Sequence, residues 1–350
     1  MSTLAQRPDG RLAGGLLPGW APYGTFAGSW VLVAAVEAAL GIFTVALSLV
    51  FAVLVAAVVI YSWSRAVEGP RRAFDRTMTL LIASAFALAM IPLASLIFEV
   101  VKRGIPGLSL EFFTEDSRGK ISGGGAAHAI AGTLVITGVA VLISVPIGLM
   151  AAIYMNEYGT GRLRRALTFF VDVMTGIPSI VAGLFAFALF EIFFGPGIRL
   201  GVMGSVALSV LMIPIVIRSA EEVLKIVPNH LREAAYALGT PKWKTITKVV
   251  LPTAFAGLIT GIMIATARII GETAPLLVTT GVVDSLNGDP LNGRMQNLAV
   301  YAYNEYRSPG VMKQASYDRA WAAALVLIAI VMILNVLARF VYRRYKTEIR

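Results

Sequence analysis

The feature that most limits what this chain can become is its repeated apolar runs. Each extends for about 20 residues or more with hardly a charged side chain, the length needed to cross a bilayer. An apolar segment at 29–63 is followed by spans near 77–100, 127–155, 168–193, 202–218, 254–281 and 320–342. Only 14% of the 350 residues are charged and 57% are hydrophobic. Soluble domains carry about 25% charged residues, so lipid, not water, must cover this surface. The expected fold is an all-α integral membrane protein, a polytopic helical bundle. The 29–63 segment is too long for a simple span; it reads as one tilted helix or as a helix with an interfacial lead-in. It is also too long for a cleavable signal peptide. Residues 1–28, rich in Gly and Pro, read as a flexible tail.

Charge sets the orientation. The segments 65–76, 157–167, 218–253 and 339–350 carry 18 Lys and Arg, against 9 in 101–126, 193–201 and 283–319. Positive residues gather on the cytoplasmic side, so the first set is expected inside the cell, with the C-terminus. The N-terminus then lies outside if 29–63 spans once. The net charge of +10 fits an anionic leaflet and gives no reason to invoke nucleic acid. With no Cys and only His128 and His230, disulfides are excluded and a metal site is not expected. There is no G-x-x-x-x-G-K-[ST] phosphate loop, no H-E-x-x-H pair and no Ser/His/Asp arrangement. No catalytic residue is expected, and a membrane-embedded enzyme has nothing to rest on.

Two places carry charge that lipid should not tolerate. Arg268 and Glu272 lie in the apolar run 254–281, where one charge costs about 2.5–3.5 kcal/mol on insertion scales. Gly257, Gly261, Ala265, Arg268 and Glu272 follow steps of three and four, which places them on one helical face. That face reads as turned to protein or to a water-filled path; an Arg268–Glu272 pair that only fixes packing is the plain alternative. Arg218 and Glu221, three apart at the end of the run 202–218, can pair on one face. Pro92, Pro146, Pro178 and Pro214 permit kinks, as does the Gly-rich "TGIPSIVAGLF".

Between two spans stands "REAAYALGTPKWKTITKVVLP", from Arg232 to Pro252. Asn229 can cap a helix that Gly239 ends, Thr240 can cap a second with Pro241 at its first position, and Pro252 closes it. Ala234, Ala235 and Ala237 allow close approach, and Tyr236 and Leu238 offer anchors, so the helix–turn–helix fits a groove in another protein. An interfacial pair on lipid is the alternative, suited to Trp243 with Lys242, Lys244 and Lys248.

Glu233, Ala234, Ala235 and Gly239, followed after nine residues by Val249, Leu251 and Pro252, match the coupling loop of ABC-importer permeases, with Val249 where the family usually has Ile. "SLIFEVVKRGIPGLSLEFFTED", "YMNEYG", "IPSIVAGLF", "PIVIRSAEEVLKIVPNHLREAAYALGTPKWK" and "ARIIGETAPLL" extend the likeness over about 77–345. Over that stretch the chain resembles the permease subunits of ATP-driven phosphate importers. The resemblance implies the type I ABC importer permease fold over 127–345, with a first core helix and external loop at 64–126, the coupling loop at 219–253 and a cytoplasmic tail at 346–350. The segment 29–63 is extra to the usual six spans. It implies inorganic phosphate as substrate, a bacterial inner-membrane location, a sister permease (PstC-like), an ATPase pair (PstB-like) that binds ATP and Mg, and an external phosphate-binding protein (PstS-like); this chain itself would hold no cofactor. Family residues tied to phosphate passage align with Arg218, Glu221 and Arg268, and Glu272 joins them by position. Glu233, Ala234, Ala235, Gly239, Leu251 and Pro252 would couple to the ATPase. A permease for sulfate or molybdate is the nearest alternative, and a secondary transporter or channel a more distant one.

Overall fold

The computed structural model describes residues 16–119 and 124–346, with side chains as far as residue 340. It divides into two units at Phe98 and Glu99. Every regular element among the described residues is helical. The first unit holds α1 (Ala21–Ala39), α2 (Val45–Glu68) and α3 (Pro70–Gly104) as far as Phe98. The second holds the end of α3, then α4 (Leu110–Thr114), α5 (Ala127–Ile153), α6 (Gly161–Thr175), α7 (Ser179–Phe194), α8 (Gly201–Ile226), α9 (Asn229–Ala237), α10 (Lys242–Thr245), α11 (Leu251–Ile270), α12 (Ala274–Thr279), α13 (Leu298–Arg307) and α14 (Lys313–Lys346). Among the described residues six helices are long and apolar enough to cross a membrane, and the bent pair α6–α7 would make a seventh. That total equals the seven runs read from the sequence, but three of the runs differ in shape.

The segment 29–63 is not one helix. Helix ends at Ala39 and resumes at Val45, and Gly41 takes φ +69°, a conformation that side chains resist. The result is a helical hairpin. Its inner faces are Ala21, Thr25, Ser29 and Glu37 on α1 and Ser48, Ala52, Ala56, Ile60 and Ser64 on α2. The four-residue spacing of small groups lets two helices approach without help from lipid. Because α1 starts at Ala21, the flexible tail expected at 1–28 is too long; residues 1–15 lie outside the described residues. At the α2–α3 junction the carboxylate of Glu68 accepts from Ser64 Oγ at 2.6 Å, from Leu17 N at 2.8 Å and from Arg76 at 2.7 Å.

The run 168–193 is broken as well. Gly176 ends α6, Pro178 is extended at ψ 138°, and α7 leaves at 107° to α6. Pro178 cannot donate to a continuing helix and it keeps Ile177 out of the helical region. The run 254–281 breaks the same way. Gly271 caps α11 and Pro275 opens α12. By contrast, two boundaries drawn at charges and prolines dissolve. Helix α8 continues to Ile226, past the boundary at Arg218. Pro252 does not close a helix: Lys242 to Ile270 is one rod, and a π-helical turn over Ile246–Val250 absorbs the missing proline donor. The non-helical part of the loop expected at 219–253 shrinks accordingly. Lys346 still belongs to α14, and the rest of the tail expected at 346–350 lies outside the described residues.

The second unit is built on α5 and α8. The hydroxyls of Ser205 and Ser209 donate to the α5 carbonyls of Ile136 and Ala140 at 3.0 and 3.4 Å. A Cβ on Gly148 would stand 2.7 Å from Val216 Cγ1. Helix α11 packs on α8 in the same way, with Gly257 against Val223 and Gly261 against Ser219. At the other end of α5, Leu298 N donates to Thr133 Oγ1 at 2.8 Å and fixes α13. A Cβ on Gly132 would meet the backbone oxygen of Gln296 at 2.0 Å, and backbone cannot step aside as a side chain can. Gly132→Ala is therefore expected to cost about 1–3 kcal/mol of overpacking. Thermal unfolding in detergent should show a lowered midpoint for it and none for Gly138→Ala, whose Cβ would meet nothing within 4 Å.

Candidate functional site

The expected charged residues fall at two depths of the second unit. Ala265 and Ile269 of α11 share a core cluster with Ile136 and Ala140 of α5 and Leu208 and Met212 of α8. At a rise of 1.5 Å per residue, Leu208 and Met212 lie about 10 and 16 Å along α8 from Gly201. The end of α11 therefore stops about 10–16 Å along α8 from Gly201, and α12 continues beyond it, with Leu276 and Thr280 against Gly204. Arg268 sits at this break. It is exposed, and it has no ion pair or hydrogen bond among the described residues. Glu272 is half-buried beyond the helix end, and its backbone oxygen accepts from Asn297 Nδ2 at 3.4 Å. The shared helical face expected for Arg268 and Glu272 is thus not formed. Gly271 stops the helix between them, and they make no ion pair. Gly257, Gly261 and Ala265 do form a stripe, and it faces α8.

Arg218 lies about 26 Å along α8 from Gly201, toward the end that carries α9. Its state is the opposite of Arg268. Nη1 donates to Glu221 at 2.9 Å, the pairing expected from their spacing, and Nη2 donates to Asp172 of α6. Glu221 is also paired with Lys225 at 2.8 Å. The Glu221 side chain is 6% exposed and that of Asp172 is 59% exposed. Exposed pairs contribute about 0–1 kcal/mol, whereas a buried carboxylate stripped of its partners costs several kcal/mol. Glu221 is therefore the fixed partner and Asp172 the exchangeable one. Asp172 lies within the apolar run expected at 168–193, but with no second charge at helical spacing in that run nothing in the sequence ties it to Arg218.

Helix α9 and Gly239 form the expected helix–turn–helix. Gly239 has φ +72°, and Thr240 N donates to Ala235 O at 3.1 Å to close the turn. The caps differ from expectation. Pro228 and Pro241, not Asn229 and Thr240, occupy the cap positions, with no side-chain cap bond. Glu233 and Ala234 are exposed, Ala235 is buried, and Leu238 is 86% exposed. Leu251 and Pro252 are half-buried at the foot of α11. The anchor of α9 is Arg232, which sequence reasoning passed over. It donates to Glu157 Oε1 at 2.7 Å and to the carbonyls of Val227 and Leu224 at 2.7 and 3.1 Å. Glu157 sits in a π turn, Tyr154–Tyr158, that prolongs α5. At the opposite end Arg199 donates to Val278 O at 2.6 Å, and its stem shares the flank of Gly281 with that of Arg294. Nearby, the buried rings of His128 and Tyr301 meet edge to face at 5.5 Å. Burial pushes the Tyr301 phenol up to about 12, so that group carries no charge at neutral pH.

Residues 144–350 match the family described as binding-protein-dependent transport system inner membrane component. That stretch contains every site residue named above from Arg218 to Glu272. The phosphate transport system permease protein PstA 1 of Mycobacterium tuberculosis (strain CDC 1551 / Oshkosh) is 43% identical over 281 residues, covering 78% of this chain and 91% of that protein. The chain belongs to the PstA family of phosphate transport permeases. The PstA of Yersinia pestis is 39% identical over 282 residues, 79% of this chain and 92% of its own. A solved bacterial alginate ABC transporter, in complex with a periplasmic protein bound to an alginate pentasaccharide, matches with a TM-score of 0.56. It covers 77% of this chain and 95% of its own at 14% identity, a likeness of fold alone. As a PstA-family member with six membrane-length helices, the chain is a multi-pass inner membrane protein.

The Arg232–Glu157 pair has side chains only 13% and 5% exposed. Breaking a buried pair from one side costs about 3–5 kcal/mol. Glu157→Gln is expected to lower stability by on the order of 3 kcal/mol. It should also raise proteolysis at residues 227–241 in the detergent-solubilised protein. Asp172→Asn, at an exposed pair, should leave both readings close to wild type.

Proposed function

We propose that this chain is one permease half of an ATP-driven phosphate importer, with Arg268 as the cationic station at mid-depth. The observation that carries the reading is the state of Arg268: exposed, without a partner among the described residues, and placed where a membrane-spanning helix breaks. An unpaired charge at that depth is tolerated only against a water-filled path or another subunit. A sister permease (PstC-like) would complete the path on that side. An anion crossing a low-dielectric passage needs fixed positive charge, and a guanidinium can hold a phosphate through two parallel bonds. Glu272 and Glu221 offset that charge, so that the anion is released.

The end that carries α9 is cytoplasmic in this reading, as the basic residues there suggest. An ATPase pair (PstB-like) would bind ATP and Mg and take α9 into a groove. The exposed Glu233, Ala234 and Leu238 offer the contact, and the Arg232 anchor passes its motion to α5 and α8. A phosphate-binding protein (PstS-like) would deliver substrate at the opposite end. Catalysis of ATP hydrolysis then belongs to the partner.

Reconstitution of the chain with these partners in vesicles tests the reading. ATP-dependent phosphate uptake is expected, resistant to excess sulfate and molybdate. Arg268→Gln removes one charge-assisted contact, worth about 1.5–3 kcal/mol, so uptake should fall roughly tenfold or more with the complex intact. Arg268→Lys keeps the charge, loses the fork and should retain part of the rate. Normal uptake by Arg268→Gln would refute a conducting role. For coupling, Gly239→Val forces a branched residue into a left-handed turn and Glu233→Lys inverts a charge at the contact. Both should lower co-purification of the ATPase; wild-type yield and uptake in both would sink the docking assignment.

A further inference from the structure

We infer that Asp172 is a built-in surrogate for the transported oxyanion at Arg218, and that the groove along α6 is the passage by which the anion leaves. The inference rests on the proposed transport of phosphate and names a residue and a surface that reading does not need.

Arg218 holds two carboxylates of different kinds. Glu221 comes from the same helix, is almost fully buried and is held by Lys225 as well. It cannot leave without stranding a buried charge. Asp172 comes from another helix, is more than half exposed, and is tied to no other cation among the described residues. A carboxylate and a phosphate both accept from the same guanidinium edge, so Asp172 and a passing anion exclude one another at Nη2 of Arg218. Arg268, with no surrogate, is open to the anion at mid-depth. Arg218, with one, is closed until the anion displaces it.

What lies beyond Asp172 fits a passage. An open groove of about 710 Å³ runs along the surface of α6 from Asp172 back to Gly159, with the exposed ring of Phe169 on its wall. Thr168, Arg165 and Arg164 line it, and they share the Asp172 face of the helix at three- and four-residue steps. Thr168 Oγ1 donates to Arg164 O at 2.9 Å, so the donors an anion leaving Arg218 meets along the groove are the guanidinium groups of Arg165 and Arg164. Helix α6 is lightly seated. Val171 is its one buried residue, packed with Ala220 and Leu224 of α8, and the Gly176–Pro178 break frees it from α7. Asp172 touches Arg218 and not the substrate, so it is a positioning residue. It keeps Arg218 from holding phosphate from the α9 side and so keeps release from being slowed by product.

The test measures inhibition of uptake by inorganic phosphate on the ATPase side of vesicles carrying the full transporter. Asp172→Asn frees Arg218, and the phosphate concentration that halves uptake should fall at least about threefold. Asp172→Glu should restore the wild-type value. The chain has no cysteine, so Asp172→Cys provides a second arm that does not depend on folding differences. Within one assembled complex, whose partner chains carry no accessible cysteine, a sulfonate-bearing thiol reagent that leaves a mixed disulfide should restore the wild-type value and a neutral reagent that transfers a methylthio group should not. A half-inhibiting concentration that is unchanged or raised in Asp172→Asn, or that responds equally to both reagents, would overturn the assignment. If the wild-type complex imports no phosphate at all, the failure lies instead with the transport reading beneath it.

Discussion

Everything in the second unit hangs on how closely α5 and α8 approach. In lipid, burying apolar surface between helices gains little, because the tails outside are as apolar as the neighbour. Attraction must come from contact at short range and from hydrogen bonds. Gly148 against Val216, and Ser205 and Ser209 donating to α5 carbonyls, supply both. The same device repeats outward from α8, to α11 through Gly257 and Gly261 and to α12 through Gly204. A central helix gripped on several sides by small residues is a stiff frame. The bent pair α6–α7 and the broken pair α11–α12 are arranged around it.

That frame gives α9 something to push against. Helix α9 has nine residues, too few to persist alone in water. Arg232 binds it at once to the end of α5, through Glu157, and to the last carbonyls of α8. A force applied at the exposed Leu238 therefore reaches the two helices that organise the unit. The short helix is a rigid foot and not a tether.

The distribution of charge along α8 and α11 is uneven in a way that suits movement of an anion. Arg268 at the α11 break has no partner among the described residues, and Arg218 toward the α9 end is neutralised by one buried and one exposed carboxylate. A bare guanidinium attracts an anion strongly where the dielectric is low. A guanidinium already shared with carboxylates attracts it weakly. In the proposed reading the gradient runs from capture to release, and the groove of α6 begins at the paired guanidinium.

Much of this was present in the residues alone. The apolar runs declared the number of membrane elements, because about 20 residues without charge have no other home. The Glu233–Ala–Ala spacing and Gly239 declared the helix–turn–helix, because a left-handed turn needs glycine. The paired state of Arg218 and Glu221 followed from their three-residue step. Pro178 announced a kink though not a turn of 107°, and the breaks at Leu40–Thr44 and Gly271–Thr273 were hidden, since hydropathy reports the cost of exposure and not the path of the backbone. For that reason Glu272 was placed on a helix that stops two residues before it. Asp172, Glu157 and Arg232 stayed hidden for another reason. Glu157 and Arg232 lie in polar stretches where a charge looks solvated, Asp172 stands alone near the start of an apolar run, and only the packing of α6 and α9 on α8 brings each to a partner 46 or 75 residues away. Sequence determines which groups lipid will accept. Which charges meet depends on distances between helices, and those exist only once the bundle is assembled.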